Sequence, residues 1–199
     1  MSEPRSARGQ ATQGVLIDAA RAVFERDGFL DARIVDIASE AGVATGSFYT
    51  YFKDKNDAFA AVMEQVNEEM LHPVLSEKFD HPVETIEQAN RAYLKSYRRN
   101  ARLMGLMEQV ATIDDDFRQV RRRRAHDFSQ RNARLIARLQ GEGLADPELD
   151  PYMTSLALSS MVSRVAYTVY VLGDEIPLEK LVKTLSRLWA SALRIPPRG

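Results

Sequence analysis

The chain has 199 residues, 45% of them apolar and 28% charged, with a formal net charge of −1. That length and balance fit one or two globular domains with a substantial core. The absence of cysteine excludes disulfides and thiolate metal sites and is compatible with a reducing compartment. With charge so near balance, any surface for a polyanion has to be local rather than a property of the whole molecule.

Residues 1–9 (Met-Ser-Glu-Pro-Arg-Ser-Ala-Arg-Gly) are polar and lack the apolar centre of a signal peptide, so they are expected to form a disordered arm. A first helix is predicted from about residue 10 to 27, burying Val15, Leu16, Ala19, Ala20, Val23 and Phe24. Ile34, Ile37, Ala38 and Ala41 then recur at helical spacing and build one apolar stripe. Gly42 stands where the chain must reverse, a position that favours a residue without a Cβ. Val43 points back inward, and Phe48 and Phe52, four apart, anchor the next helix to the core. The opposite face of that helix offers Thr45, Gly46, Ser47, Tyr49, Thr50 and Tyr51. Short hydroxyls, a bare backbone and phenols suit a helix laid into a groove lined by base edges and phosphates. Arg5, Arg8, Arg33, Lys53 and Lys55 supply positive charge around it, although the segment as a whole is slightly acidic.

The remainder also reads as helices. One begins near Lys55 and carries Phe59, Val62, Met63, Val66 and Met70 as far as His72-Pro73. The next opens at Asp80-His81-Pro82 and holds Ile86, Ala89, Tyr93 and Tyr97; a methionine-rich one covers 101–113. Asp114-Asp115-Asp116 opens a long charged helix that ends at Gly141-Glu142-Gly143; its acids suit a helix N-terminus better than a metal site. Within it, Arg121 to Arg124 cannot share one face. They read as a solvated surface, or as a surface from which one arginine reaches a cavity and grips an anionic group. Asp150-Pro151 opens a helix that ends at Gly173, and the last runs from Pro177 to about 194. The apolar run 153–172 approaches bilayer length, but Arg164 and the serines at 155, 159, 160 and 163 mark a buried packing helix instead. No run alternates with period two, and no catalytic triad order, phosphate loop or dinucleotide fingerprint occurs, so neither enzyme activity nor a cofactor is expected. His72, Asp80, His81 and His126 give no metal-ligand spacing, and no metal is expected.

The segment from Gln13 to Phe59 resembles the DNA-binding domain of the TetR family of bacterial transcriptional regulators. The resemblance rests on Ala19-Ala20, Phe24, Gly28-Phe29, Asp36-Ile37-Ala38, Ala41-Gly42-Val43, Gly46-Ser47-Phe48-Tyr49, Tyr51-Phe52 and Lys55. Two positions depart from the family: Arg33 and Ala44 stand where Ser or Thr is usual, which shifts the expected helix caps to Asp31 and Thr45. The resemblance implies an all-α protein. Its parts would be the arm at 1–9, a helix-turn-helix DNA-binding domain at 10–54, and an effector-binding and dimerisation domain at 55–199. It implies a cytoplasmic homodimer that contacts double-stranded palindromic operator DNA, with Arg33, Thr45, Gly46, Ser47, Tyr49, Thr50, Tyr51 and Lys55 at the DNA. The function expected is a repressor released by a small apolar or amphipathic effector. An activator or dual regulator, and a ligand-binding or interaction protein that does not bind an operator, are the alternatives.

In that family the middle of the chain encloses the effector. Met63, Val66, Met70, Tyr93, Tyr97, Met104, Met107, Phe117, Arg124, Phe128 and Tyr167 are therefore the candidate lining, methionine because it adapts to irregular space and the aromatics because they pair an apolar body with a polar tip. At the C-terminus, Leu178, Leu181, Val182, Leu185, Leu188 and Trp189 form a stripe that looks too wide for a helix lying only on its own domain. The last two helices are accordingly expected to build the dimer as a four-helix bundle.

Overall fold

The computed structural model describes residues 7–71 and 81–196, and among these every regular element is a helix. The expectations for Arg5, His72 and Asp80 fall outside the described residues.

The first helix, α1 (Ala7–Asp31), runs longer than its sequence signals and is kinked at Gly28, where φ is +81° and ψ 174°. That conformation is strained for any residue with a Cβ. The kink swings Phe29 inward and leaves Leu30 exposed. Helix α2 (Ile34–Glu40) and the single turn of α3 (Thr45–Phe48) follow, joined through Gly42 at φ +66°. Val43 N–H donates to the Ala38 carbonyl at 3.0 Å across this turn, which fixes the angle between the two helices.

The caps differ from expectation. Asp31 is still the last residue of α1 and so is not placed to cap α2. The N-caps are Arg33 and Ala44, both extended and neither giving a side-chain capping hydrogen bond. These short helices are held mainly by burial of Ile37, Ala38 and Phe48.

Helix α4 (Lys55–Leu71) leads from this unit into the larger one and buries Phe59, Val62, Met63, Val66 and Met70. Then come α5 (Pro82–Arg99), α6 (Ala101–Ile113), α7 (Asp115–Gly141), α8 (Pro151–Tyr170) and α9 (Leu178–Ala192). The starts of α5, α7 and α8 are capped by side chains: His81 Nδ1 accepts from Val83 N–H, Asp114 from Asp116 and Phe117, and Asp150 from Met153. Helix α8 lies along α7 and α9 along α5. Phe24, Phe29, Phe59 and Phe117 meet with ring centroids 5.0 to 5.8 Å apart, tying α1, α4 and α7 into one core. Beside them, Arg21 of α1 donates to the buried Asn100 amide oxygen at 2.5 Å, and Asn100 donates to Glu69 of α4.

The α9 stripe has a different partner from the one expected. Leu181, Val182, Leu185 and Trp189 are buried inside their own protomer, where α5 covers them. Asn90 donates to Ser186 Oγ at 3.0 Å, and Arg91 pairs with Glu179 at the edge of the same contact. Leu178 is half-buried, and of the six residues only Leu188, 47% exposed, points to solvent. The width of the stripe is explained by a helix sunk deeply between neighbours. Among the described residues no helix is long and apolar enough to cross a membrane.

Candidate functional site

Two regions carry residues that the fold itself leaves uncommitted. The first is the turn of α3 and the loop after it. Phe48 and Phe52 face the core, 5.4 Å apart between ring centroids, which forces Thr45, Gly46, Tyr49 and Thr50 outward. Tyr49 is 57% exposed and rests edge-on against Phe48, so the phenol stands up from a fixed base. Ser47 and Tyr51 are partly covered. A Cβ added at Gly46 would meet nothing within 4 Å, so no internal contact demands glycine there.

Two cations of the same region are engaged within the protein. Arg33 forms a two-point pair with Asp36 at 2.7 and 2.8 Å, which holds the Asp36 carboxyl below the usual carboxylate range. Lys55 turns away from the expected phosphate position. Its Nζ donates to the Leu30 carbonyl at 3.0 Å and lies 4.9 Å from the centre of the Phe29 ring. Partial burial lowers its pKa. A lysine over the C-terminal carbonyls of α1 is favoured by the helix dipole, and that contact draws the side chain inward. Lys53 remains exposed on the outer surface.

The second region is a cavity of about 370 Å³ between α5, α7 and α8, to whose wall Met70 of α4, Glu108 of α6 and Trp189 of α9 also contribute. Its size lies at the small end of the range of organic-ligand sites. Of the residues expected to line it, Met70, Tyr93, Tyr97, Arg124, Phe128 and Tyr167 do so. Met63, Val66, Met104, Met107 and Phe117 do not: each is at most 2% exposed and packs into solid core, Phe117 within the aromatic cluster. Helical spacing identifies the buried side of a helix but does not separate a core contact from a cavity wall. The polar wall escaped the sequence reading. Asn90, Ser129, Asn132, Ser159 and Ser163 contribute to it, with Asn132 donating to Ser159 Oγ at 3.0 Å. The signal was the serine spacing on α8. Ser155 does permit close helix approach, bonding the Ser129 carbonyl, whereas Ser159 and Ser163, one and two turns on, leave space open.

The arginine run resolves side chain by side chain. Arg122 and Arg123 are exposed. Arg121 is bound to Glu108 at 2.8 and 2.9 Å. Arg124 enters the cavity with its guanidinium 5.5 Å from the Phe128 ring centre. Burial raises the Tyr97 pKa well above its ordinary value, so this phenol stays protonated. His81 and Asp114 serve as helix caps, and His126 contacts the Tyr152 hydroxyl at 3.2 Å.

Residues 16–62 match the pattern described as bacterial regulatory proteins, tetR family. That stretch is a tetR-family segment. The chain is similar to the HTH-type transcriptional regulator HbdR of Aromatoleum sp. (strain CIB), with 38% identity over 80 residues. It is 36% identical over 77 residues to the HTH-type transcriptional regulator BetI of Escherichia coli. Each match covers 39% of this chain, and only 35% of HbdR and 40% of BetI. The fold of the chain as a whole is similar to that of the fatty acid degradation regulator FadR of Bacillus halodurans, with a TM-score of 0.76 over 91% of this chain and 99% of that one. At 21% identity the likeness carries the fold alone.

Proposed function

We propose that the protein is a cytoplasmic transcriptional repressor that binds a palindromic operator as a homodimer and is released by a small apolar or amphipathic effector. The observation that carries this reading is the outward face of α3, where Thr45, Gly46, Tyr49 and Thr50 stand on a tetR-family scaffold with no internal role. Small hydroxyls and a phenol can reach base edges, while Ser47, Tyr51 and Lys53 lie where phosphates would run. Arg33 reaches a phosphate only by exchanging its Asp36 partner.

A two-fold dimer matches palindromic half-sites. Surface that remains free for it includes Met153 and Ala157 on α8 and Leu188 and Ala192 on α9, small or apolar side chains exposed in the protomer. Release works through α4, which starts just after the reading turn and ends with Met70 in the cavity wall. An effector that packs best with this helix tilted would shift both reading heads. Coupling of that kind is typically about 1–3 kcal/mol and reciprocal, so operator DNA weakens the effector by the same factor.

The test is selection of bound fragments from randomised duplex DNA, followed by titration at several salt concentrations. Recovery of a two-fold symmetric sequence whose affinity falls with salt supports the reading, since phosphate contacts release counterions. Failure to enrich any sequence favours the alternative of a ligand-binding protein without an operator.

A further inference from the structure

The fully buried polar atoms of the cavity wall that lack a partner are both donors. Arg124 Nε on α7 and Trp189 Nε1 on α9 are buried in its wall without an acceptor. The Nη2 of Arg124 has only the thioether sulfur of Met70, at 3.2 Å, and sulfur is a weak acceptor. A guanidinium left in this state is costly unless something supplies oxygen atoms.

The other charged groups of the wall have partners or face water. Glu108 is held by Arg121, Arg131 donates to the Leu71 carbonyl, and Arg164, beside the Tyr167 ring at 5.2 Å, is exposed and can be solvated by water. With four arginines and one glutamate lining the space, its charge is positive. Beside Arg124 the wall offers Met70 and the rings of Tyr93 and Phe128, edge to face at 5.4 Å, and elsewhere the neutral polar side chains described above.

We infer that the cavity takes a small monocarboxylate, its two oxygens bridged by the Arg124 fork and its apolar body lying among Met70, Tyr93, Tyr97 and Phe128. This rests on the effector reading above and narrows it to one charge class. A planar carboxylate fits a guanidinium fork in two-point fashion. One guanidinium with a buried, unpartnered N–H suits a monoanion better than a phosphate dianion, with Glu108 on the same wall. Binding would also draw Arg124 off Met70, the residue through which α4 meets the cavity.

Trp189 is the only tryptophan of the chain and lies in the wall, so its fluorescence reads occupancy directly. Phenylacetate and octanoate, each against its uncharged amide, would be titrated into the full-length protein, with calorimetry as a second readout. The expected result is saturable binding of at least one acid, more than tenfold tighter than its amide. Phenyl against alkyl then reports the shape of the body. Arg124→Met should remove that preference, Arg124→Lys should keep part of it, and Arg122→Met, outside the cavity, should leave it whole. Equal binding of acid and amide, no saturable binding of either acid, or full acid preference in folded Arg124→Met protein would each overturn the inference. If acids bind through Arg124 but leave DNA affinity unchanged, the carboxylate site stands and the effector role falls. If uncharged compounds release DNA while acids do not bind, the reverse holds.

Discussion

Gly46 separates folding from recognition at a single atom. Its backbone conformation is one that residues with a Cβ can adopt, and an added Cβ meets open space. Gly46→Ala is therefore expected to fold as well as the parent, with a gain of up to about 1 kcal/mol from lower chain entropy. Operator affinity should fall, because the extra methyl group lies on the face offered to DNA. Thermal unfolding and a binding titration on the same sample check both halves. Tyr97 gives a prediction in pH. Its pKa is raised in the folded state, so the stability this brings is present below about pH 10, the ordinary tyrosine value, and is lost as pH rises above it. Urea midpoints compared between pH 8 and pH 11 should drop less for Tyr97→Phe than for the parent. An equal drop would show that burial of this phenol does not govern the alkaline limb.

Among the elements, α9 distinguishes packing from assembly. Leu185 lies under α5, so Leu185→Glu places a carboxylate in the core and should destabilise the fold by about 4 kcal/mol or more. Leu188→Glu changes an exposed position and should leave the protomer folded while weakening the dimer. Sedimentation and circular dichroism on the two variants give opposite results if this division is right. A folded, monomeric Leu185→Glu protein would restore the wider interface expected from the stripe. Most helix boundaries were legible in the sequence because Pro82, Asp114, Asp150-Pro151 and Gly42 act locally, through caps and turn geometry. Whether Leu185 meets its own chain or another was not, since both situations bury the same face. Nor was the difference between Met107 and Met70, one in solid core and one at the void. That difference depends on how far two helices stand apart, which no periodicity records. The inward turn of Lys55 depends likewise on the Gly28 kink bringing the Leu30 carbonyl within reach.

At the scale of the molecule, the core is continuous from α1 to α9. The Phe24, Phe29, Phe59 and Phe117 cluster and the Arg21–Asn100–Glu69 bonds cross from the reading unit into the larger one. Unfolding is therefore expected as one cooperative transition. Trp189 fluorescence, which reports the C-terminal half, and far-ultraviolet dichroism, which reports all helices, should give coincident urea curves. An early loss of helix signal with Trp189 unchanged would show that the two units melt separately. The inward Lys55 also bears on how such a protein searches a chromosome. With Lys55 spent on the end of α1 and Arg33 on Asp36, little of the described positive charge is free to grip phosphates irrespective of sequence. Sliding along DNA depends on that indiscriminate grip. A regulator whose grip rested on these two cations alone would spend most of its time in free solution and reach its operator by repeated three-dimensional encounters, so its response time would follow its copy number more than the length of DNA flanking the site.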